Sequence, residues 1–87
     1  MWKIEWDPRA EKDLGKCDRP IQKRIVQYIE KVVTENDPRQ WGQPLLHDKS
    51  GLWRYRVGDY RVICQIEDSC FTVLVMACGH RKEIYDH

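Results

Sequence analysis

No run of apolar residues in this 87-residue chain approaches the length that spans a bilayer. The first residues alternate in polarity and do not form the apolar stretch of a secretory leader, so a cytoplasmic location and no membrane partner are the expectation. Charge of one sign is also missing. Fifteen Lys and Arg against fourteen Asp and Glu leave a formal net charge of +1. Nothing global announces a polyanionic partner, and any case for one must rest on where the charge sits. Cys17, Cys64, Cys70 and Cys78 show no CxxC spacing, and three of them fall in strand-like segments. Reduced, partly buried thiols fit that pattern better than a disulfide framework or a zinc site. Phosphate-binding glycine loops, nucleophile elbows, metal-ligand constellations and motif-spaced carboxylate pairs are absent as well. No cofactor or metal is expected. Repeats, low-complexity tracts and interdomain linkers are lacking.

What is present is 41% apolar residues with four tryptophans, enough for a packed core in one small domain over residues 1–87. Trp2, Ile4 and Trp6 alternate with Lys3 and Glu5 and mark a first strand. Asp7-Pro8 supplies an N-cap followed by proline at the first helical position, opening a short helix to about Lys16. Asp18 and Pro20 start a second helix. Ile21, Ile25, Val26, Ile29, Val32 and Val33 give it an apolar stripe, and Asn36-Asp37-Pro38 stops it. Residues from about 39 to 51 read as a loop, with Trp41, Leu45 and Leu46 tucked onto the core. Three strands follow, Leu52 to Val57, Tyr60 to Glu67 and Cys70 to about Cys78, with Asp68-Ser69 as a second tight turn. The expected fold class is α+β, β-α-α-β-β-β, with two helices on one face of a four-stranded, mainly antiparallel sheet.

Gly58-Asp59 suits a two-residue type II′ turn, which sets Val57 opposite Tyr60 and Arg56 opposite Arg61. Alternation then puts Trp53, Tyr55, Val57, Tyr60, Val62, Cys64 and Ile66 on an apolar face, extended by Phe71, Val73, Val75 and Ala77 if both turns are tight. Arg54, Arg56 and Arg61 share the opposite face. Like charges directly across a ladder destabilise a sheet. Their presence points to something anionic, against the alternative of an ordinary solvated face. Arg81 lies just beyond Cys78, which by parity falls on the arginine face. Tyr85 either folds back over that face or docks with Ile84 on the core.

The stretch Gly51-Leu52-Trp53-Arg54-Tyr55-Arg56-Val57-Gly58-Asp59-Tyr60-Arg61-Val62 and the segment Gly79-His80-Arg81-Lys82-Glu83-Ile84-Tyr85 resemble the RelE toxins of the RelE/ParE toxin–antitoxin superfamily. The element order matches that family over essentially the whole chain. The resemblance implies a type II toxin: an endoribonuclease that cuts messenger RNA, usually in the ribosomal A site, and is restrained by a cognate antitoxin. Operator DNA is a partner only through the antitoxin complex. By matched position, Arg61 corresponds to the phosphate-binding strand arginine. Arg81 corresponds to the arginine that stabilises charge at the scissile phosphate or leaving oxygen, and Tyr85 to the tyrosine that stacks on or orients the cleaved nucleotide. Arg54 and Arg56 stand where well-known members carry lysine, and with Lys82 and His80 they complete the expected substrate contacts. Leu46 departs from a basic loop residue common among relatives, with His47 beside it.

Guanidinium groups stay protonated, so Arg54 and Arg56 clamp phosphate but are poor bases. RNA brings its own nucleophile, the 2′-hydroxyl, and a protein need only align it, neutralise charge and manage two protons. Tyr85 ranks first as base, because nearby arginines favour its anion, with Lys82, His80 and His87 behind it. Two other readings use the same fold: a ParE-like gyrase poison acting through protein contacts, and an inactive relative that binds only antitoxin and operator.

Overall fold

In a computed structural model, residues 2–34, 37–45 and 51–84 are described. Strand β1 (Lys3–Trp6) leads into helix α1 (Pro8–Gly15) and helix α2 (Arg19–Thr34). Then come a short strand β2 (Gln43–Pro44) and the strands β3 (Leu52–Val57), β4 (Tyr60–Glu67) and β5 (Thr72–His80). Asp7 caps α1 as its sequence position implies, its side chain accepting from Arg9 N at 2.9 Å ahead of Pro8. The sheet order is β1-β5-β4-β3-β2, with β1 parallel to β5 and every other pair antiparallel.

The sheet therefore has five strands where four were expected. The extra one lies in the segment read as loop: Gln43 pairs with Arg54 and Pro44 with Trp53. Its two residues carry no apolar alternation, and its proline is tolerated because the strand forms the edge of the sheet. The preceding 3₁₀ turn, Pro38–Trp41, is capped by Asp37, which accepts from Arg39 N at 3.0 Å. Trp41 is 38% exposed and not tucked into the core. Leu46 and His47 lie outside the described residues.

The first hairpin forms as read. Gly58 has φ 61 while Asp59 has no positive φ, which matches a type II′ turn. Val57 pairs with Tyr60 and Arg56 with Arg61. The second turn differs: Asp68–Cys70 form a 3₁₀ turn and Phe71 takes a left-handed φ of 48, so β5 starts at Thr72 and runs on to His80. Phe71 is 56% exposed, edge-on to Trp2, and does not extend the apolar face. A bulge at Met76 breaks the alternation further on. Cys64 pairs with Val75 but Ile63 pairs with Ala77, so Ala77 leaves the apolar face and Cys78 joins it opposite Val62.

The core lies between the helices and the apolar sheet face. Ala10 of α1 and Ile25, Ile29, Val32 and Val33 of α2 pack with Tyr55, Val57, Val62, Cys64, Val73, Val75 and Cys78, while Trp53 lies half-buried against them. Full burial of such side chains contributes about 1.5–3 kcal/mol each. Past Val75, where β1 has ended, Asp13 of α1 accepts from Cys78 N at 3.2 Å and so occupies part of the free β5 edge. Tyr55 is fully buried, and its hydroxyl donates to Pro38 O at 2.9 Å, tying the 3₁₀ turn to β3. Tyr55→Phe leaves that buried carbonyl without its donor. The expected loss is about 1–3 kcal/mol, read as a lower urea midpoint; an unchanged midpoint would mean that the bond adds no stability.

Candidate nucleic-acid interface

Three elements place the arginines. The hairpin register holds Arg56 directly opposite Arg61, and Arg54 opposite Ile63. Alternation puts Arg54, Arg56 and Arg61 on the sheet face away from the helices. Arg56 is exposed, while Arg54 and Arg61 are half-buried. Arg54 Nη2 donates to Gln43 Oε1 at 2.5 Å, so the unexpected edge strand steadies one of the three. Arg61 Nη1 donates to Tyr60 O at 3.3 Å. On β5 the residue opposite Arg61 is Gly79. The bulge thus puts Gly79, and not Cys78, on the arginine face.

The segment after β5 doubles back. Arg81 N donates to Asp59 O at 2.8 Å, and Glu83 N and Ile84 N donate to His80 O at 2.7 and 3.1 Å. Ile84 lies over Gly79, where an added Cβ would come within 3.1 Å of its Cγ1. Arg81 is thereby fixed by its backbone to the β3–β4 turn, close in the fold to the Arg56–Arg61 pair. Its Nε stands 4.0 Å from Asp59 Oδ1, with the two side chains 57% and 68% exposed. So exposed a pair contributes at most about 1 kcal/mol, which leaves the guanidinium available to a stronger anion.

His80 sits differently from the arginines. It pairs with Tyr60 and meets that ring edge-on at 5.4 Å, and its Nδ1 accepts from Lys82 N at 3.1 Å. The imidazole organises the C-terminal turn. Lys82 is exposed. Tyr85 and His87 lie outside the described residues. Sequence reasoning missed Gln43 and Asp59. The loop reading hid Gln43, whereas Asp59 was read only as a turn residue, although it is the one carboxylate at the hairpin tip.

A cleft of about 800 Å³ runs beside the free part of β5, but none of Arg54, Arg56, Arg61 or Arg81 lines it. Its walls mix Asp7, Asp13, Asp18 and Glu83 with Arg9 and Lys16, an unsuitable lining for a polyanion. No group of metal-ligating side chains occurs among the described residues. No helix there is long and apolar enough to cross a membrane.

A family model described as the ParE toxin of a type II toxin–antitoxin system, parDE, matches residues 4–85. The chain belongs to that toxin family. This ParE-family toxin is 32% identical over 76 residues to Toxin RelE of Mycobacterium tuberculosis, across 87% of its own length and 77% of the relative's. Toxin RelG of the same organism is 28% identical over 82 residues, across 94% and 93%. Among solved structures it resembles the toxin–antitoxin complex RelBE2 of M. tuberculosis, with TM-score 0.82, 26% identity and coverage of 92% and 91%. The RelE-like resemblance read from the hairpin and the C-terminal segment is borne out.

All four cysteines of the toxin are free. Burial pushes the Cys78 thiol up to about 12 and raises Cys64 further, and burial with nearby Glu83, Asp13 and Asp18 raises Cys17. Only Cys70 is exposed, which corrects the expectation that all four are partly buried. Since the thiolate is the reacting form, a maleimide at pH 8 should label Cys70 first and leave Cys64 and Cys78 unmodified until the protein unfolds. Equal labelling rates at all four would contradict this core.

Proposed function

We propose that this toxin cuts messenger RNA on the ribosome, using the guanidinium groups of Arg61 and Arg81 to bind and stabilise the scissile phosphate. One observation carries the reading: Arg56 and Arg61 are cross-strand partners, with Arg81 anchored by its backbone to the adjoining turn. Setting like charges there costs stability that an anionic substrate offsets. The likeness to Toxin RelE and Toxin RelG of M. tuberculosis supports the same choice.

In this scheme the 2′-oxygen attacks the adjacent phosphorus, the 2′-O–P bond forms and the P–O5′ bond breaks. The 2′-hydroxyl proton passes to a base, for which Tyr85 is the first candidate. A second proton goes to the departing 5′-oxygen. Arg61 holds a phosphate oxygen, Arg81 stabilises charge at the phosphate or the leaving oxygen, and Arg54 and Arg56 clamp neighbouring phosphates. Lys82 and His80 are assigned secondary contacts, His80 through the turn it shapes. The products are a 2′,3′-cyclic or 3′-phosphate and a 5′-hydroxyl. Several structures similar to this one are toxin–antitoxin complexes, so a cognate antitoxin is the proposed protein partner, and operator DNA is reached only through that complex.

The family description, a ParE toxin, favours a second reading in which the chain poisons gyrase. The variants separate the two. Losing one charge-stabilising contact costs about 3–4 kcal/mol, ~10²–10³ in rate. Arg81→Ala and Arg61→Ala should each lower mRNA cutting on translating ribosomes by that factor while antitoxin binding persists, as measured by primer extension and by titration. Tyr85→Phe should lose rate while keeping its stacking. Variants that arrest growth like wild type, with DNA breaks and intact mRNA, would favour the gyrase reading.

A further inference from the structure

The basic stripe of α2 is not used by the cleavage site. Arg24, Gln27 and Lys31 recur at helical spacing with Tyr28 on the same side, and they line a groove of about 390 Å³ against the hairpin tip at Arg56 and Gly58. Among the described residues, no carboxylate lines this groove. Arg24 and Arg56 have no ion-pair partner among the described residues. The Arg24 guanidinium lies on the hairpin tip, its Nη2 only 3.0 Å from where a Gly58 Cβ would stand. Tyr28 and Lys31 of the lining in turn touch Trp41, which lies next to the groove: Lys31 Nζ is 5.0 Å over its ring, and Tyr28 OH donates to Trp41 O at 3.2 Å. Trp41 stays 38% exposed, so part of its ring is open to solvent.

Basic side chains with an exposed aromatic ring beside them are the equipment of single-stranded nucleic-acid grooves. The two α2 cations are seven residues, about 10 Å, apart, the span of about three phosphates in a stacked strand. Arg56 belongs to both surfaces. We propose that the groove between α2 and the hairpin tip holds the single-stranded RNA flanking the cleavage point, with Arg24 and Lys31 on its phosphates and Trp41 against a base. This rests on the RNA-cleaving reading of the arginine face and extends it around the sheet edge onto the helix.

The test uses the purified full chain and fluorescently labelled single-stranded RNA, a trinucleotide and an oligonucleotide several times longer, in anisotropy titrations over a salt series. Wild type should bind the longer RNA more tightly. In the double variant Arg24→Gln/Lys31→Gln the plot of log affinity against log salt for the longer RNA should flatten by about 1.4, ~0.7 per phosphate contact. Trinucleotide binding should stay the same. Trp41→Ala should weaken the longer RNA alone. An unchanged melting temperature confirms that the variants fold. Wild type binding both lengths equally, or a double variant with unaltered slope, overturns the proposal. Loss confined to antitoxin binding would make the groove a site for an acidic peptide, and loss confined to ribosome binding would assign it to ribosomal RNA; either result also overturns it. Absence of mRNA cuts by wild type, with length-dependent RNA binding intact, would instead fail the cleavage reading alone.

Discussion

Gly58 turns the chain with φ 61, and the register of β3 against β4 follows from that two-residue turn. Because side chains alternate with period two, a slip of one residue would send Tyr55, Val57, Val62 and Cys64 to solvent and bury the arginines. The register that buries the apolar set under α1 and α2 is the one that sets Arg56 across from Arg61. Core and candidate site are two faces of one constraint. The apolar face is large enough to hold an unfavourable arrangement of charge on the other.

The bulge at Met76 is the second device. Without it Cys78 would stand beside Arg61 and Gly79 would face the helices. With it, the position opposite Arg61 has no side chain, and Ile84 folds over the vacated space while Arg81 N reaches the carbonyl of Asp59. Two turns distant in sequence thereby meet at the hairpin tip. This backbone anchoring holds Arg81 at the β3–β4 turn, and its side chain stays exposed.

Much of the fold could be read from local pattern because its signals are strong. Asp7-Pro8, the α2 stripe from Ile21 to Val33 and Gly58-Asp59 each specify geometry within a few residues. The misreadings arise where tertiary context decides. Gln43-Pro44 becomes a strand only because β3 offers a free edge. Asp68–Cys70 coil into a 3₁₀ turn that ordinary turn residues do not distinguish from a two-residue hairpin. A bulge leaves no trace in composition, so parity counted through Met76 put Ala77 and Cys78 on the wrong faces. Within the candidate site, the shared face of the three strand arginines was legible because parity up to Arg61 crosses no irregularity. Arg81 was singled out through the family resemblance alone, and its anchor on Asp59 depends on a long-range hydrogen bond that no local pattern announces.

In the proposed reaction the arginine face binds phosphate and the substrate's own 2′-hydroxyl is the nucleophile. The chemistry of the RNA ends tests this most directly. A defined mRNA would be translated in a cell-free extract with the wild-type toxin, and the fragments analysed for their terminal groups. The account predicts cuts confined to the translated region, with 5′-hydroxyl ends and 2′,3′-cyclic or 3′-phosphate ends. Fragments with 5′-phosphate and 3′-hydroxyl ends, or full-length mRNA in an extract whose translation has stopped, would contradict it.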